Sequence, residues 1–138
     1  MNNLGDGYRK LGRFDQARAA HQRALEIVEA KLGSDHPRSA YALLGLAEDA
    51  LAAKAAPDAL GPAERGLQLR EKAGESAALI AEARFVLARV LWELPAGKGR
   101  DRTRAQSLAR AILREDKGSA VTGAFRTKVE SWMAARVP

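Results

Sequence analysis

The chain has 138 residues, 46% of them apolar and only 5% aromatic, with a formal net charge of +6 and no cysteine. That length suits one folded domain of ordinary size, and the lack of thiols excludes disulfides and thiolate metal sites. No apolar run approaches the roughly 20 residues that span a bilayer, and Met1-Asn2-Asn3 has neither the basic nor the apolar region of a secretory leader. A soluble, cytoplasmic chain with no membrane partner is expected.

Alanine is abundant, β-branched residues are few, and proline and glycine fall between periodic segments with one exception, which predicts an all-helical chain. Asn3 to Leu32 reads as two antiparallel helices joined at Gly12-Arg13-Phe14. Leu4, Tyr8 and Leu11 recur at helical spacing in the first, and Ala17, His21, Ala24, Leu25 and Val28 in the second, predicting two apolar stripes that face each other. Gly12 suits a left-handed exit from the first helix, and Asp15 is placed to cap the second.

Leu4-Gly5-x-x-Tyr8, followed by Ala17-x-x-x-His21 and Ala24, resembles the tetratricopeptide repeat, whose signature has Leu-Gly-x-x-Tyr on the first helix and Ala-x-x-x-Phe then Ala on the second. His21 stands where that family prefers an aromatic. Gly5, Ala17 and Ala24 are small enough for close helix approach, and Tyr8 is expected to fill the gap between helix pairs.

The pattern returns at Leu46-Ala47-x-x-Ala50 and at Ala59, Ala63, Gly66 and Leu67, with a constant offset of 42 (46 − 4 and 67 − 25). This exceeds the family's usual period of about 34 and is similar to the extended type of kinesin light chains and many bacterial signalling proteins. In that type the second helix runs on into Leu-Gly-x-Asp-His-Pro, which is Leu32 to Pro37 here. Gly33 should end one helix, Ser34 or Asp35 should cap the next, and Pro37 should occupy its first turn, leaving His36 a turn role. The second hairpin runs from about Arg38 to Ala73 and turns at Lys54 to Asp58. Pro62 is the exception to the rule above, and it predicts a late helix start near Ala59 or Leu60, or a kink.

A third leading helix, Glu75 to Leu94, carries an apolar stripe through Leu79, Ile80, Ala83, Val86, Leu87, Val90, Leu91 and Leu94. After a longer turn at Pro95 to Arg100 its partner carries Ala105, Leu108, Ala109, Ile112 and Leu113. A last helix, Ala120 to Ala135, has Val121, Ala124, Phe125, Val129, Trp132 and Met133 on one face. It is expected to cap the stack, with Arg126, Lys128, Glu130 and Arg136 toward water. The expected fold is therefore all-α: a right-handed α-solenoid of about three helix-turn-helix repeats in one domain over residues 1–138. The repeats fall at about 1–33, 36–74 and 75–117, with the cap at 119–136. The first repeat looks N-terminally truncated, so the chain is expected either to be the C-terminal part of a larger repeat protein or to pack its open hairpin on another molecule, self-association included.

Catalytic patterns are missing from the sequence. Gly97-Lys98-Gly99 lacks the remaining residues of a phosphate-binding loop, the two histidines are distant in sequence, and Glu48-Asp49 and Glu115-Asp116 are adjacent residues pointing in different directions on a helix. No metal-ligand spacing or cofactor motif occurs, so a non-enzyme without cofactor or metal is expected. Lys98, Arg100, Arg102, Arg104, Arg110 and Arg114 against Asp101 give a local excess of +5 (6 − 1). This face can be merely solvated, or can attract an acidic protein, nucleic acid or another polyanion, although no aromatic lies among the arginines to stack on a base.

The resemblance implies that the first helix of each pair lines a concave groove. The groove positions it implies are Asn2, Asp6 and Arg9, then Tyr41, Glu48 and Leu51, then Glu82, Phe85, Arg89 and Trp92. Tyr41 and Trp92 are the expected anchors, because a rigid aromatic buries area at little entropy cost. Phe85 and Trp92 have a second reading, as core between repeats. The function expected is a protein-interaction scaffold docking a peptide or partner protein, with a role in a signalling protein as a fold-level analogy. The alternative is a nucleic-acid- or polyanion-binding repeat using the Lys98 to Arg114 face.

Overall fold

Small side chains decide how this chain packs. In a computed structural model that describes residues 3–115 and 123–136, alanines such as Ala17, Ala59, Ala83 and Ala109 are completely buried along the helix seams. Gly66 shows how tight those seams are, since a Cβ there would lie 2.9 Å from the Leu44 side chain. The described residues form seven helices and no strand: α1 (Asn3–Lys10), α2 (Phe14–Leu32), α3 (Arg38–Ala52), α4 (Ala56–Ala73), α5 (Ala77–Glu93), α6 (Arg102–Glu115) and α7 (Gly123–Ala134). Each helix packs on the next in sequence, and the leading helices also touch, α1 on α3 and α3 on α5. The result is a stack of helical hairpins, an α-solenoid.

The larger apolar cluster lies at the α3 to α7 end, centred on Val86, Leu87, Val90, Leu94 and Ile112. A smaller one, Leu25, Ala40, Ala42, Leu43 and Leu69, joins α2, α3 and α4. Burial of this kind stabilises the fold by about 25 cal/mol per Å² of apolar surface removed from water.

The turns explain themselves residue by residue. Gly12 leaves α1 with φ at 76°, as expected for a left-handed exit, and Lys54, at the same position 42 residues later, takes φ at 62°. Glycine accepts that conformation freely, whereas Lys54 holds it with a Cβ. Ser76 and Asp101 accept from the Leu79 and Arg104 amides and cap α5 and α6.

Several expectations are corrected. Asp15 does not cap α2: the helix opens at Phe14 from Arg13, with no side-chain cap, and Asp15 sits in the first turn where its charge suits the helix dipole. Neither Ser34 nor Asp35 caps α3, because the His36 Nδ1 atom accepts from the Arg38 amide at 3.2 Å. That is still a turn role for His36. Helix α4 does not start late: it opens at Ala56 and runs through Pro62. The amide that Pro62 lacks would have met the carbonyl of Asp58, which is exposed and open to water. Leu4 and Leu11 do not face α2; they are 64% and 70% exposed, because α1 packs through its Gly5 side instead. The start expected for the last helix, Ala120 with Val121, lies outside the described residues.

Candidate interaction groove

The three leading helices turn one face each to a common cleft of about 260 Å³. Asp6 and Arg9 come from α1, Tyr41 and Glu48 from α3, and Glu82, Phe85 and Arg89 from α5, with Phe125 and Lys128 of α7 closing one side. These seven expected groove positions are therefore brought together. Of the other three, two are placed elsewhere and the third is not described. Leu51 packs against the larger apolar cluster, Trp92 lies edge-on to Trp132 with centroids 5.8 Å apart, and Asn2 lies outside the described residues.

Phe85 lines the cleft floor but is only 3% exposed, because Phe125 and Trp132 meet its ring edge-on at 5.7 and 5.8 Å. The second reading, as core, describes the surroundings of Phe85, whereas Trp92 is partly buried and packs against the edge of the larger cluster. The physical reason is α7: by folding over α5 it covers the Phe85 ring and sets Trp132 against Trp92. Tyr41 remains 46% exposed and lines both this cleft and a wider trough of about 960 Å³, where Ile27, Leu32 and Leu79 supply apolar wall. Burial, with the Asp6 and Glu82 carboxylates, raises the pKa of its phenol above the usual value.

Charge along the cleft is organised in pairs. Arg9 donates to Asp49 at 2.7 Å and lies 3.1 Å from Asp6 and 3.2 Å from Glu48. Glu48 is shared, since Arg89 of α5 binds its other oxygen at 2.8 Å. Burial works against the Arg9 charge, but the Asp49 hydrogen bond and the surrounding carboxylates overcome it and raise its pKa. Beneath the cleft, His21 is completely buried and touches Asp6 and Asp49.

His21 and Asp49 are the residues that sequence reasoning missed. His21 was one member of an apolar stripe, and Asp49 one half of an adjacent acidic pair. The available signal was the pairing itself: a titratable group at a core position of α2 and a carboxylate at a core position of α3.

The basic segment is partly occupied within the molecule. Arg104 binds both oxygens of Glu64, at 2.6 and 3.2 Å, and that hydrogen bonding raises its pKa. Arg102 stacks on Trp92 with its guanidinium 4.6 Å from the ring centre. Lys98, Arg100, Arg110 and Arg114 are exposed.

Stacked hairpins with a shared cleft along their leading helices define a helical-repeat module. A family model described as tetratricopeptide repeat matches residues 1–72, and the chain belongs to the tetratricopeptide repeat family. Repeats of this family generally mediate protein–protein interaction and are typically non-catalytic. No curated protein and no solved structure matches the chain. No helix among the described residues is long and apolar enough to cross a membrane.

Proposed function

We propose that this protein is a non-catalytic scaffold that docks a peptide or partner protein in the cleft along α1, α3 and α5. The observation that carries the reading is Tyr41, a large rigid ring left 46% exposed beside a cleft whose other walls are fixed by ion pairs. An aromatic in that setting gains contact area at little entropic cost, and walls already ordered cost little more to immobilise. Glu82 and Lys128, of opposite sign, lie at the cleft edge and favour a ligand of mixed charge around an apolar anchor. The 42-residue spacing supports the extended repeat type and, by analogy of fold alone, a place in signalling.

The engagement of Arg104 by Glu64 and of Arg102 by Trp92 weighs against the polyanion reading of the Lys98 to Arg114 face. Capture of partners by the immobilised 138-residue chain, compared with Tyr41→Ala and Glu82→Lys variants, tests the groove. Proteins that bind the chain and are lost with both variants support it. A partner set indifferent to both substitutions places binding elsewhere.

A further inference from the structure

The imidazole of His21 lies flat between the first two leading helices. Gly5 of α1 and Gly45 of α3 press on it so closely that a Cβ at either position would come within 2.5 and 2.6 Å of ring atoms. Each ring nitrogen faces a carboxylate: Nδ1 is 2.5 Å from Asp49 Oδ2, and Nε2 is 3.1 Å from Asp6 Oδ1. A neutral imidazole has one N–H and one lone pair, so it would turn a lone pair toward one of these oxygens. Only the ring protonated at both nitrogens donates to both.

The neighbours complete the arrangement. From α1 the ring is faced by Asp6 and, behind it, Arg9; from α3 by Asp49, with Glu48 linked through Arg9; Arg89 of α5 holds Glu48 in turn. Three carboxylates, Asp6, Glu48 and Asp49, thus meet three cations, Arg9, His21 and Arg89, and the balance holds only while His21 is charged. Asp49 is 2% exposed, so a lost positive charge there is not replaced by water.

We propose that His21 is a proton-operated clasp, closed as the imidazolium, that fastens the first hairpin to the second and loosens when the ring gives up its proton. The inference concerns the chain by itself and does not depend on what the cleft binds. The element that loosens is α1, which is eight residues long and leaves Leu4 and Leu11 exposed, so its apolar hold on the stack is small.

Burial opposes the charge on the ring, but the Asp49 hydrogen bond and the Asp49 and Asp6 charges outweigh burial and the opposing Arg9, raising the pKa above 6.5. The clasp therefore contributes its full stabilisation below the unfolded value of 6.5 and loses it as pH climbs through the higher folded value.

The test is nitrogen NMR of the imidazole rings in the intact chain, with His36→Asn used to assign the two histidines, followed from about pH 6 to about pH 10. The expected result is two ring protons on His21 at neutral pH, and backbone signals of α1 that move with its titration while those of α6 stay still. A single ring proton at neutral pH, or α1 signals that ignore the titration, overturns the proposal. Asp6 is 29% exposed at its side chain, so Asp6→Asn should fold. It should lower the titration of His21 by about one pH unit, and no downward movement also counts against the clasp. His21→Phe keeps an aromatic of similar size. Its α1 signals should lose the transition, and a transition that survives there assigns the effect to another group.

Discussion

Phe85 meets Trp132 edge-on, with ring centroids 5.8 Å apart and planes at 87°. Through this contact α7 covers the face that α5 would otherwise present to solvent, and Trp132 is itself only 8% exposed. Trp132→Ala should destabilise the fold by about 3–5 kcal/mol, since a large cavity opens where two rings had packed. Denaturant unfolding measures the loss. A change below about 1 kcal/mol would mean that α7 does not hold the end of the stack.

The glycines of the first hairpins divide into two kinds. Gly45→Ala would place a methyl 2.6 Å from His21 and should destabilise by about 1–3 kcal/mol or more, whereas nothing lies within 4 Å of a Cβ at Gly7. Gly7→Ala should stabilise α1 by about 0.5–1 kcal/mol through helix propensity. Thermal unfolding of the two variants should move in opposite directions.

Lys54 occupies, with φ at 62°, the left-handed position that Gly12 fills 42 residues earlier. Lys54→Gly should relieve that strain and raise stability by about 1 kcal/mol despite the added freedom of the unfolded chain. A fall in the unfolding midpoint would show that the Lys54 side chain makes contacts worth more than the strain.

Arg70 is 3% exposed and ties α4 to α5, donating to the Leu79 carbonyl at 2.7 Å and to Glu82 at 3.1 Å. Arg70→Met keeps the length of the side chain and removes the charge-assisted hydrogen bonds. It should cost about 1.5–3 kcal/mol, read from chemical denaturation.

Leu4 and Leu11 are exposed apolar side chains of the first hairpin, and we propose them as its contact with a second copy. The double variant Leu4→Gln, Leu11→Gln should shift sedimentation toward the monomer while leaving circular dichroism unchanged. Equal sedimentation of both proteins over a range of concentration would remove this surface as a self-association site.

Much of the fold was readable from local chemistry. Small residues at fixed spacing, glycines at helix exits and an offset of 42 all act within one or two turns or one hairpin, so they show in the sequence directly. Side-chain partners were not readable in the same way. Arg9 reaches Asp49 across 40 positions and Arg89 reaches Glu48 across 41, and nothing in either local pattern marks the other.

The amino-acid order alone determined that the chain is helical, that its hairpins repeat and which small residues let them close, because those properties follow from backbone propensity and periodicity. Only the tertiary structure decided that Phe85 lies under α7, that Leu4 and Leu11 stay in water, and that His21 sits between two carboxylates. Those outcomes depend on how one hairpin leans on the next, and the lean is set by contacts between residues a full repeat apart.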